Sequence, residues 1–139
     1  MKKNRKKQLD NFNYLLDIMD NLRENCPWDK EQTFKTLKNL TIEETYELSE
    51  ALMSNNFEEI KNELGDLLLH IIFYSKIASE KNKFDISDVI STICEKLIRR
   101  HPHVFDRKKI NSNDVEKNWE YIKIKEGNKS VLSGVPVSL

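Results

Sequence analysis

The sequence predicts an all-α fold of about five helices, and three observations support this prediction. Leu, Ile, Glu and Lys, which are favourable in helices, are abundant among the 139 residues. The chain contains only three Gly and three Pro residues, which leaves few turn residues for a many-stranded sheet. Apolar residues also recur at intervals of three and four. At this length we expect a single domain with its own core.

The first predicted helix carries an apolar stripe and ends near Cys26-Pro27. The stripe consists of Leu9, Phe12, Leu15, Leu16, Met19 and Leu22. Beyond it, Asp29 followed by Gln32 is a pattern typical of a helix N-terminus. We therefore expect a short helix or turn to follow, through Phe34 and Leu37.

Two further helices are predicted in the middle of the chain. Thr41 and Glu44 form a T-x-x-E capping box, which predicts that the second helix covers about residues 42–54. Asn55-Asn56 suits its C-terminal turn because Asn tolerates the left-handed conformation. A longer third helix is predicted over about residues 57–81, and it is apolar around most of its circumference.

The last two helices are also bounded by capping residues. Asp85 is suited to cap a fourth helix, which stops before Pro102. Its apolar positions are Ile86, Val89, Ile90, Ile93, Leu97 and Ile98. Asn113 is suited to cap a last helix, with Gly127 as its stop. That helix carries Val115, Trp119 and Ile122.

These elements predict three segments: a basic tail over residues 1–8, a helical domain over 9–127 and an irregular extension over 128–139. The opening MKKNRKK is not followed by the apolar segment of a targeting sequence, so we interpret it as a solvated tail. No stretch approaches the roughly 20 apolar residues of a membrane span, which argues against a membrane partner.

Charge and cysteine content restrict the function classes. The formal net charge is zero, so no overall positive field would hold a nucleic acid, and we expect none as a partner. The two cysteines, Cys26 and Cys94, have neither metal-ligand spacing nor a disulfide framework. Free thiols are typical of a reducing compartment, so the sequence predicts a cytoplasmic location.

Acidic residues stand beside apolar surface on the second and third predicted helices. Glu44 and Glu47 lie at the margin of the apolar arc of the second helix, three residues apart. Glu63, Asp66 and His70 share one narrow sector of the third helix. Two such pairs on antiparallel helices would send four carboxylates into one gap, and we expect these acids to point inward.

Four converging carboxylates need a compensating positive charge, and a divalent metal ion supplies one. An all-oxygen ligand set, with His70 at most peripheral, favours Mg²⁺, with Mn²⁺ as the other candidate. A purely structural interpretation stands beside this one. Glu44 would then serve only the capping box, and Glu63 would pair with a lysine on a solvated face.

The fourth and last helices offer groups that suit a nucleotide. Lys96 and Arg100 are i, i+4 neighbours at the edge of the apolar arc, where cations can grip phosphate oxygens, whereas Arg99 points away from that arc. The structural alternative is that these basic residues in the last turn only interact favourably with the helix dipole. Trp119 is suited to stack on a nucleobase, or equally to fill the core beside its apolar neighbours.

The acidic pattern resembles that of a known family. E-E-x-x-E at Glu43, Glu44 and Glu47, followed by E-x-x-D at Glu63 and Asp66, is similar to the signature of the MazG-type nucleoside triphosphate pyrophosphohydrolases. The resemblance covers nearly the whole chain. It extends over the segments CPWDKEQT, TIEETYEL, ELGDLLLHIIFY, KLIRRHPHVF, NWEYIKIKEG and SVLSGVPVSL.

The resemblance implies Mg²⁺-dependent hydrolysis of a nucleoside triphosphate to a monophosphate and pyrophosphate. By motif match, the metal ligands would be Glu44, Glu47, Glu63 and Asp66. One carboxylate, Glu43 or Glu47, would orient or deprotonate the attacking water. The resemblance also places substrate contacts at Lys96 and Arg100, and it associates tryptophans such as Trp119 with the substrate.

The resemblance further implies an all-α fold that builds its site with a partner subunit. The evenly apolar third helix independently predicts a homo-oligomer, at least a dimer. Two other functions stay open at this point. The first is a catalytically weak or inactive domain with a regulatory or dimerisation role, normally the first half of a two-domain protein. The second is a plain helical interaction module whose acids face solvent.

Overall fold

The structure is helical. A computed structural model describes residues 2–106 and 112–127 of the chain. Within these ranges, a 3-10 turn at Lys2–Asn4 precedes seven α-helices. They are α1 (Arg5–Asn25), α2 (Pro27–Glu31), α3 (Phe34–Ser54), α4 (Phe57–Glu80), α5 (Ile86–Arg100), α6 (Pro102–Phe105) and α7 (Ser112–Lys125). The predicted all-α class is confirmed, and none of the described helices has the combined length and apolarity that crossing a membrane requires.

The helices outnumber the predicted five because proline begins two short ones. Pro27 is the first residue of α2 and Pro102 the first of α6, although the sequence pattern treated both only as helix stops. Proline suits the first helical position because its missing N–H would have no partner there. Asp29 was predicted to cap a helix; this is wrong, because the residue lies inside α2.

The predicted start of the second helix, at Thr41, is also wrong. Helix α3 begins about two turns earlier, and Thr33 caps it. The Thr36 N–H donates to Thr33 Oγ1 at 3.2 Å, and the Thr33 N–H donates to Thr36 Oγ1 at 2.8 Å. No Gly or Pro interrupts the chain between that cap and Thr41, so the helix continues through the predicted boundary.

A short connection turns α3 back along α4. Asn55 has φ 60° and ψ 22°, the left-handed conformation predicted for this turn. Asn56 then caps α4, because its side chain accepts hydrogen bonds from the N–H groups of Glu58 and Glu59. The predicted turn and the predicted α4 are therefore confirmed. Two helices joined in this way lie antiparallel, which brings the start of α4 beside the end of α3.

The remaining helix boundaries agree only in part with the predicted ones. Helix α5 ends at Arg100, before Pro102 as predicted, and Gly127 has φ 91° just beyond α7, as expected of a stop. Asn113 was predicted as the cap of α7, but the helix already begins at Ser112. Helix α1 begins at Arg5 and so includes part of the predicted basic tail. The predicted extension over residues 128–139 lies outside the described residues.

The chain divides into two compact units, Met1–Ser87 and Asp88–Leu139. The core of the first unit lies among α1, α3 and α4. Its buried members are Met19, Leu37, Ile72, Phe73 and Ile77, with Phe12, Leu15, Leu16, Leu69, Tyr74 and Ile86 packed against them. This core covers the second half of α4, whereas Leu64 and Leu68 in the first half are exposed.

Arg23 ties the end of α2 to the end of α4. Its guanidinium donates to the backbone carbonyls of Asp29 at 2.8 Å, Lys30 at 3.1 Å and Gln32 at 3.0 Å. Its Nε donates to the Glu80 carboxylate at 2.9 Å. Most of the Arg23 side chain is shielded from solvent, so these bonds replace hydration that the carbonyls cannot otherwise recover.

We expect Arg23→Met to lower the free energy of unfolding by about 2–3 kcal/mol, because a charged donor is lost while its partly buried acceptors remain. Urea denaturation followed by circular dichroism measures the change. Glu80→Gln keeps the carbonyl contacts of Arg23 and should therefore cost less than Arg23→Met. Equal stability of Arg23→Met and the wild type would contradict this assignment.

Candidate functional site

Four carboxylates converge between α3 and α4. Glu44 and Glu47 come from α3, and Glu63 and Asp66 come from α4. Each of the four side chains contributes one carboxylate oxygen, and these four oxygens all lie within 4.8 Å of one another. The spacing of three residues on each helix places both members of a pair on the same face, and the antiparallel turn brings the two faces together. The structure thus assembles all four residues predicted as metal ligands.

The cluster has a sheltered edge and an open edge. Glu44 and Glu63 are partly buried, whereas Glu47 and Asp66 are exposed. Oε2 of Glu44 and Oε2 of Glu63 are shielded from solvent and have no hydrogen-bond partner among the described residues. The expectation that the acids point inward therefore holds for one member of each pair.

The pKa values of the sheltered carboxyls reflect this crowding. Burial, together with the negative charges of Glu47, Asp66 and Glu63, raises the pKa of Glu44 to about 7. Burial also raises the pKa of Glu63, again with contributions from Glu47 and Asp66. Each raised pKa means that the ionised carboxylate is destabilised at its position, because it has lost hydrating water and lies close to other negative charges.

A divalent cation would relieve both causes of these shifts. It would give the orphaned oxygens of Glu44 and Glu63 a partner and would offset the mutual repulsion. A donor set made only of carboxylate oxygens is what Mg²⁺ and Mn²⁺ prefer. Nδ1 of His70 is engaged with Thr41 at 2.6 Å, which agrees with its predicted peripheral position. The residues therefore fit a hard divalent ion.

Behind the carboxylates lies a polar group that the sequence reasoning did not identify. Thr41 Oγ1 on α3 contacts His70 Nδ1 and the Tyr74 hydroxyl on α4, and it donates to the Leu37 carbonyl at 3.1 Å. His70 is only 9% exposed, and burial lowers its pKa, an effect that the charge of Asp66 opposes. A buried histidine on an apolar helix needs a hydrogen-bond partner. This requirement is the feature of the sequence that could have indicated the polar group.

Glu43, one of the two predicted water-activating residues, lies outside the cluster. Its side chain is exposed on α3, and it is not among the acids that the structure brings together in the described part of the chain. Neighbouring positions on a helix point about 100° apart, so Glu43 and Glu44 cannot both face the same gap. Glu47, the other predicted residue, does belong to the cluster.

The second unit contains a cation and tryptophan grouping. The Arg100 guanidinium lies 6.0 Å and the Lys123 ammonium 4.6 Å from the centre of the Trp119 ring. Arg100 Nη2 donates to Glu126 at 2.9 Å, and Arg99 Nε donates to the same carboxylate. The hydrogen bonds from Arg99 and Arg100 lower the pKa of Glu126 to about 2. This carboxylate therefore stays ionised at neutral pH.

This grouping contains two of the predicted substrate-binding residues, Arg100 and Trp119, side by side. The third, Lys96, lies partly buried one turn before Arg100 on α5. Arg99 was predicted to point away from this face, but it shares the partner of Arg100. Glu126, which directly follows α7, was missed, because no pattern in the sequence indicates which residue near the end of α7 meets the last turn of α5.

An antiparallel helix pair that sends two carboxylates from each helix into one gap is the arrangement that helical metal proteins use. Comparison with known proteins agrees with this class. Residues 32–105 match the model of the MazG nucleotide pyrophosphohydrolase domain. The chain belongs to this family.

Two relatives illustrate the relationship. The nucleoside triphosphate pyrophosphohydrolase of Escherichia coli K12 is 44% identical over 139 residues, covering 94% of this chain and 53% of that protein. The nucleoside triphosphate pyrophosphohydrolase/pyrophosphatase MazG of Thermotoga maritima is 48% identical over 126 residues, covering 89% of this chain and 48% of that protein. The chain spans about half the length of these curated relatives.

A solved structure supports the fold. The crystal structure of a mazG-related protein from Thermotoga maritima superposes with a TM-score of 0.71 at 28% sequence identity. The match covers 81% of this chain and 98% of that one.

The shifted pKa of Glu44 predicts a pH dependence of the metal-free protein. A carboxyl whose pKa is raised from 4.5 to about 7 on folding stabilises the fold fully below pH 4.5 and loses that contribution as the pH rises through about 7. We expect thermal unfolding in a metal chelator to show this decline, and Glu44→Gln to flatten it. Glu50→Gln, an exposed change on the same helix, should leave it intact. An unchanged profile in Glu44→Gln would contradict the assignment.

Proposed function

We propose that the chain hydrolyses a nucleoside triphosphate to a nucleoside monophosphate and pyrophosphate, with Mg²⁺ as the cofactor and Mn²⁺ as a substitute. The observation that carries this proposal is the convergence of four carboxylates, two of which keep a buried oxygen without a partner. Membership of the MazG family supports the reaction type. The zero net charge supports a nucleotide rather than a nucleic acid as the ligand.

The metal would be held by the four acids of the cluster. These are Glu44, Glu47, Glu63 and Asp66. When bound, Mg²⁺ would lower the pKa of a coordinated water and screen the negative charge of the triphosphate. The protein holds these oxygens close to one another, and the burial and mutual repulsion that this requires raise the pKa of Glu44.

The proposed reaction is an attack of water on the α-phosphorus. The water oxygen forms the new bond to phosphorus, the bridging P–O bond to the β-phosphate breaks, and pyrophosphate leaves with the bonding electron pair. A carboxylate accepts the proton of the attacking water. Glu43 and Glu47 are the two candidates for this role, and Glu47 is the better placed because it belongs to the cluster.

Lys96, Arg100 and Trp119 are the proposed substrate-binding residues. A triphosphate requires cationic donors, and an arginine can grip two phosphate oxygens at once. The contact of Arg100 and Lys123 with the Trp119 ring supports this proposal, because it combines an aromatic face with positive charge in one part of the second unit.

A second candidate function is a catalytically weak or inactive regulatory or dimerisation domain. The observation that favours it is the group of large apolar side chains exposed on α3 and α4, which suits a dimerisation role. Such a domain would keep the metal-binding acids without turnover. The cytoplasmic location stays a prediction for either function, and the free thiols of Cys26 and Cys94 agree with it.

We also propose that the chain forms a homo-oligomer, at least a dimer. Large apolar side chains are exposed along α3 and along α4 as far as Ile71. They are Ile42, Tyr46, Leu52, Met53, Phe57, Leu64, Leu68 and Ile71. Many exposed apolar side chains on one helix pair are typical of a protein interface. In the proposed oligomer, a second copy of the chain covers these apolar side chains.

We expect purified protein to release pyrophosphate from at least one member of a panel of ribo- and deoxyribonucleoside triphosphates when Mg²⁺ is present. Glu47→Gln and Asp66→Asn should each lower kcat/KM by at least about a hundredfold, because each removes a carboxylate that would hold the metal ion. A coupled pyrophosphate assay measures the rate. Glu50→Gln, an exposed acid on the same helix, should retain wild-type activity.

Three results of this experiment separate the candidate functions. Activity that is lost only in the cluster variants supports the enzyme. Inert but folded wild-type protein that still binds Mn²⁺ in calorimetry supports the regulatory domain. The absence of saturable Mn²⁺ binding would leave a helical interaction module with solvated acids.

The proposed oligomer predicts a mass above that of one chain in size-exclusion chromatography with light scattering. Met53→Lys and Phe57→Lys place charges on side chains that are 85% and 78% exposed, and we expect the double variant to shift the mass toward one chain. Tyr14→Lys, at a 65% exposed position on α1, is the matched control and should leave the mass unchanged. A wild type with the mass of a single chain would contradict self-association.

A further inference from the structure

Thr41 connects α3 to α4 one helical turn away from the carboxylates. It precedes Glu44 by three residues on α3, and its partner His70 follows Asp66 by four residues on α4. The same Thr41 oxygen also contacts the hydroxyl of Tyr74, one further turn along α4. The polar group formed by Thr41, His70 and Tyr74 therefore lies beside the cluster on both helices that build it.

The hydrogen bonds of Thr41 favour one position for the proton of His70. The Leu37 carbonyl can only accept, and the Thr41 hydroxyl is placed to donate to it at 3.1 Å. With the single hydroxyl proton of Thr41 on that carbonyl, the Tyr74 hydroxyl and His70 Nδ1 both donate to the lone pairs of the Thr41 oxygen. In this arrangement neutral His70 carries its proton on Nδ1.

These two bonds also resist sliding of one helix along the other. His70 is 9% exposed, and Tyr74 is partly buried. A shift of α3 relative to α4 would break both bonds at once and leave two shielded polar groups without partners, which is more costly than losing an exposed bond. The same shift would separate the α3 pair of carboxylates from the α4 pair, because each pair is rigidly attached to its helix.

We propose that Thr41 is a positioning residue for the carboxylate cluster: its hydroxyl holds α3 in register with α4 and fixes His70 as the Nδ1–H tautomer. Thr41 does not touch the ion or the substrate in this role. Its effect reaches the cluster through the relative placement of Glu44 and Asp66. This inference rests on the proposed metal binding.

Thr41→Val tests the proposal, since valine keeps the branched shape and loses only the hydroxyl. We expect the affinity for Mn²⁺, measured by titration calorimetry of the full chain, to fall by about tenfold, the range typical of outer-shell substitutions. Thr41→Ser restores the hydroxyl and should restore the affinity. Tyr74→Phe removes one of the two donors and should have a smaller effect than Thr41→Val.

Thr45→Val is the matched control. Thr45 lies on the same helix, is exposed, and its hydroxyl donates only to the Ile42 carbonyl of its own helix among the contacts found, at 2.6 Å. The same chemical change there should leave the Mn²⁺ affinity at the wild-type value. Circular dichroism of each metal-free variant shows whether it is folded, so that a loss of affinity is not mistaken for a loss of structure.

The tautomer of His70 is a second readout that needs neither metal nor activity. We expect ¹⁵N-detected NMR of the metal-free wild type to show a protonated Nδ1 and an unprotonated Nε2, and Thr41→Val to lose this preference. Wild-type His70 protonated on Nε2 would overturn the tautomer assignment.

Failure of this inference is distinct from failure of the proposed function. If the wild type binds Mn²⁺ and folded Thr41→Val binds it equally well, the positioning role is overturned while the metal site stands. If the wild type binds no Mn²⁺, the proposed function fails and the positioning role fails with it.

Discussion

The mutual repulsion of four carboxylates is the constraint on which the rest of the structure depends. Two of them, Glu44 and Glu63, have an oxygen shielded from water without a partner, and the pKa of each is raised by burial and by its neighbours. Such an arrangement opposes folding unless a proton or a cation compensates it. The fold must therefore supply enough stability elsewhere to hold the acids together before any ion arrives.

That stability comes from features on either side of the cluster. The turn at Asn55-Asn56 closes one end of the α3–α4 pair, and the apolar core packs against the second half of α4. Arg23 then ties the far end of α4 to the chain that follows α2. Between the core and the acids, Thr41 bridges the two helices. The acids thus occupy a helix pair that is fastened on both sides of them.

The same organisation explains where apolar surface is left exposed. The core ends near His70, so the first half of α4 and the facing end of α3 carry apolar side chains that no described part of the chain covers, among them Leu64 and Met53. A carboxylate cluster cannot itself be covered by apolar groups without a large desolvation cost. A neighbouring subunit is the means proposed here for covering the apolar residues while leaving the acids accessible.

Local patterns in the sequence predicted most helices but placed some of their ends wrongly. The T-x-x-E pattern at Thr41 has the composition of a capping box, yet α3 continues through it. A capping box is favourable only if the preceding residues leave the helix, and the pattern itself carries no information about them. In the structure the Thr41 hydroxyl is used for contacts with α4 instead. The contacts of Thr41 with α4 therefore outweigh its local propensity to cap a helix.

By itself the sequence determined the all-α class, the acid pairs on two adjacent helices and the turn at Asn55-Asn56, because helical period and turn chemistry are local properties. Only the tertiary structure decided that Glu43 stays outside the cluster, that Thr41 meets His70, and that Arg99 and Arg100 share Glu126. These contacts join residues far apart in the chain, and their geometry depends on how whole helices pack.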